Sequence, residues 1–140
     1  MNASPVVAEL VRAYEPFFSV VTDGVVGWGH RVVGEEEAFD LAGIITQEVA
    51  EVYLARDIFS ANARFSRLVK DVDLHHHEYD ALLALFLIAP SMRNSFLLKA
   101  VRSNNAEVIT KEFSKWGKVL NKPDFCAAIS RLYSTGSFTE

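Results

Sequence analysis

The sequence predicts a mainly α-helical protein in which a small N-terminal hairpin lobe is joined by a long helix to a helical C-terminal lobe. Three observations predict it. Apolar residues recur at three- and four-residue spacing along most of the chain, a strand-like pattern is confined to Phe17 to Gly34, and one long helical segment follows it. A chain of 140 residues fits one domain, which at this size buries roughly two-thirds of the surface its unfolded form exposes. Within residues 1–140, about 15–45 form the hairpin lobe, 1–14 and 60–140 the helical lobe, and 46–71 the linking helix.

Ser4-Pro5 opens the first helix, since a serine hydroxyl caps free backbone amides and proline at the first helical position loses no needed donor. Val6, Val7, Leu10, Val11 and Tyr14 mark its buried face, and Pro16 closes it after Glu15, because the residue before a proline resists the helical conformation. From Phe17 to Gly34, β-branched and aromatic residues are broken by Asp23-Gly24, Gly27 and Gly29, which implies short strands and tight turns. Glu35-Glu36-Glu37 reads as a solvated loop or helix start with no chemistry assigned to it. Thr46 caps the linking helix, Gln47 to Asp71, whose expected buried residues are Val49, Val52, Tyr53, Phe59, Phe65 and Val69. Glu78 to Ala89 is apolar almost all round, as the central helix of a lobe must be. Helices near Ser91 to Arg102, Ala106 to Val119 and Pro123 to Ser134 complete the chain, with Gly136 as terminator.

Composition narrows the function. Fourteen basic against eighteen acidic residues give a net charge of −4, which argues against a nucleic-acid partner, because sequence-independent binding needs a dense cationic face. The longest apolar run, Ala81 to Pro90, is half the roughly 20 residues of a membrane span, so no membrane anchor is expected. The N-terminus has no basic region followed by an apolar stretch, so a signal peptide is not expected either. Cys126 has no partner and reads as a small buried hydrophobe. Neither a dinucleotide nor a phosphate-binding glycine loop occurs, so no cofactor is expected.

Three groups of residues could carry chemistry. Glu15 and Asp23 flank a helix-to-hairpin transition, and glycosidic cleavage uses two carboxylates, one donating a proton to the leaving oxygen and one ionised. His75-His76-His77 offers metal-type ligands, but adjacent residues rarely converge on one ion and no other Cys or His completes a ligand spacing, so the run reads as a polar loop capping the Glu78 helix and no metal is expected. In Gly27-Trp28-Gly29-His30 the glycines permit a tight hairpin, with His30 an internal hydrogen-bond partner more readily than a base.

In order along the chain, these pieces resemble the phage-type lysozymes, glycoside hydrolase family 24. Leu10-Val11-Arg12-Ala13-Tyr14-Glu15-Pro16 is similar to that family's first helix, and Val25-Val26-Gly27-Trp28-Gly29-His30 to its Gly-aromatic-Gly-His hairpin. Ile45 to Glu51 with Asp57, Tyr79-Asp80-Ala81-Leu82, Asn94 to Lys99, Phe113 to Trp116 and Thr135 to Phe138 continue the match. The resemblance implies a lysozyme-like α+β fold with a cleft between lobes. It also implies a muramidase that hydrolyses the β-1,4 bond from N-acetylmuramic acid to N-acetylglucosamine in bacterial peptidoglycan, and so lyses the cell wall. Carried over by position, Glu15 is the general acid, Asp23 the second carboxylate, and His30 pairs with Asp57 to hold the lobes together. Such an enzyme is made in the cytoplasm and reaches the wall or periplasm by release, or by a phage particle or delivery machine.

The sequence departs from the family pattern in its cleft. Glu15 to His30 is shorter than usual, and a register without the deletion puts Ser19 in the carboxylate position and Glu9 near the acid's. The family's cleft threonine falls on Val25, which leaves Thr22 as the substitute. Phe125 and Ala128 stand at the places of two cleft arginines, and Leu87 at that of an asparagine. These departures define the alternative: a catalytically impaired lysozyme-like module that binds the wall or another protein.

Overall fold

The computed structural model describes residues 1–139. Helix α1 spans Pro5–Tyr14; the Ser4 hydroxyl accepts the Val6 N–H, and Val7, Leu10 and Val11 are buried. Glu15 is the C-cap, extended at φ −86° and ψ 140°, as the following Pro16 requires. The chain then forms an antiparallel sheet of β1 (Phe18–Thr22), β2 (Val25–Gly27) and β3 (His30–Arg31), ordered β1-β2-β3. Thr22 pairs with Val25, so Asp23 and Gly24 alone make the first turn. Their φ values of 52° and 78° are those of the type I′ hairpin for which Asp-Gly is a preferred sequence.

Gly27 fixes the sheet to the next long helix. Its φ is +64°, and a Cβ there would lie 3.1 Å from the Cβ of Ala50. Gly27→Ala is expected to cost about 1–2 kcal/mol from the left-handed backbone alone, with the crowding added; a thermal melt checks it.

The acidic run starts helix α2 (Gly34–Asp40), where Glu35, Glu36 and Glu37 complement the positive end of the helix dipole. Helix α3 (Gln47–Leu68) begins at Thr46, whose Oγ1 accepts the Val49 N–H at 3.2 Å, and stops short of the expected Asp71. Its buried residues are Ala50, Leu54, Ala61 and Phe65. The expected burial of Val49, Val52 and Phe59 is wrong: all three are exposed, Phe59 at 79%. A helix that bridges two lobes buries different faces along its length, so a single stripe does not describe it.

Helix α4 (His76–Ile88) is buried at every residue from Tyr79 to Phe86 and packs against α1, α3 and α7 (Pro123–Thr135). Between α4 and α7 come a 3-10 turn (Pro90–Asn94), α5 (Phe96–Arg102) and α6 (Ala106–Val119). Gly136 ends α7 at φ +84°. The His run starts α4: His76 meets the Asn2 carbonyl at 2.9 Å and His77 the Leu132 carbonyl at 3.1 Å. Burial pushes the Cys126 thiol up to about 11, partly offset by Lys122, so it stays protonated.

Two hydrophobic clusters form the two lobes. The larger centres on α4, and the smaller joins Val11, Val26, Trp28, Leu41, Ile45, Ala50 and Leu54. Ile58 of α3 and Leu87 of α4 pack against both. No helix among the described residues is long and apolar enough to cross a membrane.

Candidate active site

A cleft of about 660 Å³ lies where the two clusters meet. The end of α1 and the hairpin contribute Glu15, Phe18, Thr22, Asp23 and Val25 to its walls; Trp28, Gly29, His30 and Arg31 follow. The helical side contributes Leu54, Asp57, Ser60 and Arg64 from α3, with Leu87, Ile88 and Lys122 beyond. Glu15, Asp23 and Thr22 are therefore together in one cleft. Glu9 and Ser19, the residues of the alternative register, are exposed and are not part of the described wall.

The Glu15 side chain is only 6% exposed, and its Oε2 accepts a hydrogen bond from the Lys122 ammonium at 2.6 Å. Its other oxygen has no hydrogen-bond partner among the described residues, yet is not sealed from solvent. Glu15 thus keeps one oxygen tethered to a cation and one open. Lys122 precedes the helix-starting Pro123 and lies 107 positions from Glu15 in sequence, and no local pattern reveals the pair. Phe125 and Ala128 are 2% and 0% exposed and face the core, so the cation beside the acid comes from Lys122 instead of from either position. Lys122→Gln is expected to destabilise the fold by about 1–3 kcal/mol, because it leaves a nearly buried carboxylate without its donor. Denaturant unfolding of the variant beside Lys122→Arg, which restores the charge, measures this.

Asp23 is exposed at the hairpin tip, held by the turn rather than by a side-chain partner. The Thr22 hydroxyl donates to the Val20 carbonyl at 3.0 Å, which leaves its oxygen as an acceptor. Val25 is half-buried in the wall and has no polar group to offer. Leu87, also half-buried there, is equally apolar.

His30 makes contacts on both ring nitrogens. Nδ1 lies 2.9 Å from Asp57 Oδ2, and Nε2 bonds to Glu37 Oε1. Its ring packs 4.5 Å from that of Tyr53. Two carboxylates on two nitrogens suit the imidazolium, which donates twice, because a neutral ring turns a lone pair toward one of them. Burial opposes that charge, but hydrogen bonds to Glu37 and Asp57, with their charges, outweigh it and raise the His30 pKa. For Glu37 burial is outweighed by hydrogen bonds from His30 and the Val33 N–H, and its pKa falls. For Asp57 burial, aided by the charge of Glu37, wins over the pull of His30, and its pKa rises. Glu37 is the member that sequence reasoning missed, since nothing in a run of three glutamates distinguishes the one that turns inward. No group of three or more His, Cys, Asp or Glu suited to a metal occurs among the described residues.

A sequence model of the phage lysozyme family matches residues 12–136. An endolysin of Acyrthosiphon pisum secondary endosymbiont phage 1 is 33% identical over 95 residues, which are 66% of this chain and 61% of that protein, so the chain matches about three-fifths of its relative's length. With its helices, its small antiparallel sheet and a match over nearly its whole length, the chain belongs to the phage lysozyme family.

Proposed function

We propose that the protein is a peptidoglycan muramidase that hydrolyses the β-1,4 bond between N-acetylmuramic acid and N-acetylglucosamine and so lyses bacterial cell walls. The observation that carries the reading is Glu15: a nearly buried carboxyl at the end of α1, tethered by Lys122 through one oxygen and open through the other, in a cleft shared with Asp23. In this reading Glu15 gives its proton to the glycosidic oxygen as the bond to the anomeric carbon breaks. Asp23 stays ionised and stabilises the positive charge that develops on the sugar, and Thr22 accepts a hydrogen bond from the incoming water. The water adds its oxygen to the anomeric carbon and loses one proton, which replaces on the Glu15 carboxylate, directly or through solvent, the proton given to the leaving oxygen. His30, with Asp57 and Glu37, ties the hairpin and α2 to α3, so it positions the walls and does not meet the sugar. The enzyme reaches the wall or periplasm by release from the cell, or by a phage particle or another delivery machine.

A second reading, a lysozyme-like module that binds the wall or a protein without cleaving, is favoured by Val25, which puts an apolar side chain where the family has its threonine. Release of soluble muropeptides from purified peptidoglycan separates the two. Release supports the muramidase, and binding without release from several wall types supports the module.

A further inference from the structure

Leu54, Asp57, Ser60 and Arg64 recur every three or four residues along α3, so the cleft runs along one stripe of that helix. Asp57 is taken by His30. Arg64 lies seven residues further, about 10 Å along the helix axis. Arg64 is exposed as a whole, but its guanidinium is 5.6 Å from the ring centroid of Phe86, a residue only 4% exposed, so the head group leans on the helical-lobe wall. Of the three cleft acids, Glu15 and Asp57 have their cations in Lys122 and His30 and Asp23 has none, while Arg64 has no carboxylate partner among the described residues. A guanidinium docked on an aromatic face, with its donor fork free in a substrate cleft, is a receptor for a planar anion.

We infer that Arg64 is a specificity-determining residue that binds a carboxylate on the muramic acid branch of the substrate. The inference rests on the peptidoglycan reading above. Two groups on that branch supply the carboxylate. In intact peptidoglycan the lactyl group is in amide linkage and the charge is carried by the stem peptide, whereas in peptide-stripped glycan the lactyl carboxylate is itself free. A neutral polymer of N-acetylglucosamine has neither.

The test is binding by co-sedimentation of wild type, Arg64→Gln and Arg64→Lys with intact peptidoglycan, with amidase-stripped peptidoglycan and with chitin, with muropeptide release measured in parallel. Arg64→Gln is expected to weaken binding about tenfold on the carboxylate-bearing polymer and to leave chitin binding unchanged, with Arg64→Lys in between. Loss confined to intact peptidoglycan identifies the stem peptide, and loss confined to stripped glycan identifies the lactyl group. Equal binding by all three proteins on every polymer overturns the inference, as does an equal loss on chitin or failure of the wild type to bind either peptidoglycan. Arg64-dependent binding without muropeptide release leaves the inference standing and removes the hydrolase reading instead.

Discussion

Glu15→Gln is expected to reduce muropeptide release by roughly 10²- to 10⁴-fold, the range of a positioned general acid. Glutamine keeps the shape of the side chain and can still accept from Lys122 through its amide oxygen, but has no acidic proton to transfer. The accompanying loss of stability is small, because the amide oxygen keeps the Lys122 hydrogen bond and the Lys122 side chain is 31% exposed to water. Unchanged secondary structure with lost activity is the expected pair of observations. Asp23→Asn serves as the companion: Asp23 is exposed and cannot contribute much to folding, so a loss of activity there reports on chemistry.

The second large effect falls on the His30 network. His30→Asn is expected to cost about 2–4 kcal/mol, somewhat below the value for a broken buried pair because Glu37 and Asp57 are 25% and 31% exposed. That corresponds to a lowering of the melting temperature by roughly 10 °C for a domain of this size. The pH dependence has a definite sign. His30 has a raised folded pKa, so its stabilisation is complete below its ordinary 6.5 and is lost as pH climbs through the higher folded value. Glu37 has a lowered one, so its contribution is present above 4.5 and disappears as pH falls through the lower folded value. Asp57, raised, subtracts stability as pH rises from its ordinary 3.8 through its folded value. The network therefore contributes most in weak acid, above the ordinary 4.5 of Glu37 and below the ordinary 6.5 of His30, and its contribution declines as pH rises above that window. Melts across that range are expected to show the decline in the wild type and a flatter profile in His30→Asn. Parallel profiles in the two proteins are the outcome that removes His30 from the account.

Much of the fold was legible because its local signals agree with its packing. Ser4-Pro5 and Pro16 bound α1 for reasons internal to the backbone, Asp23-Gly24 permits little besides a two-residue turn, and the apolar α4 has no face to present to water. Thr46 marked the start of α3, but its buried positions were misread, since Val49, Val52 and Phe59 lie on sides that neither lobe covers. The site was legible only where its residues stand on such local features. Glu15 is marked by the helix end and Asp23 by the turn. Lys122 and Glu37 carry no local mark: one reaches Glu15 across the fold, and the other is one of three identical neighbours whose direction depends on how α2 docks. Position along the chain puts Phe125 and Ala128 in the cleft, whereas the packing of α7 turns both into the core.

If Glu15 protonates the bridging oxygen of a muramyl bond, the chemistry of the new chain ends records it. Peptidoglycan digested with the wild-type protein is reduced with borohydride and its soluble fragments are read by mass spectrometry. The expected fragments end in reduced N-acetylmuramic acid and are absent from a Glu15→Gln digest. Fragments ending in reduced N-acetylglucosamine, or the same muramic acid ends from both proteins, would contradict it.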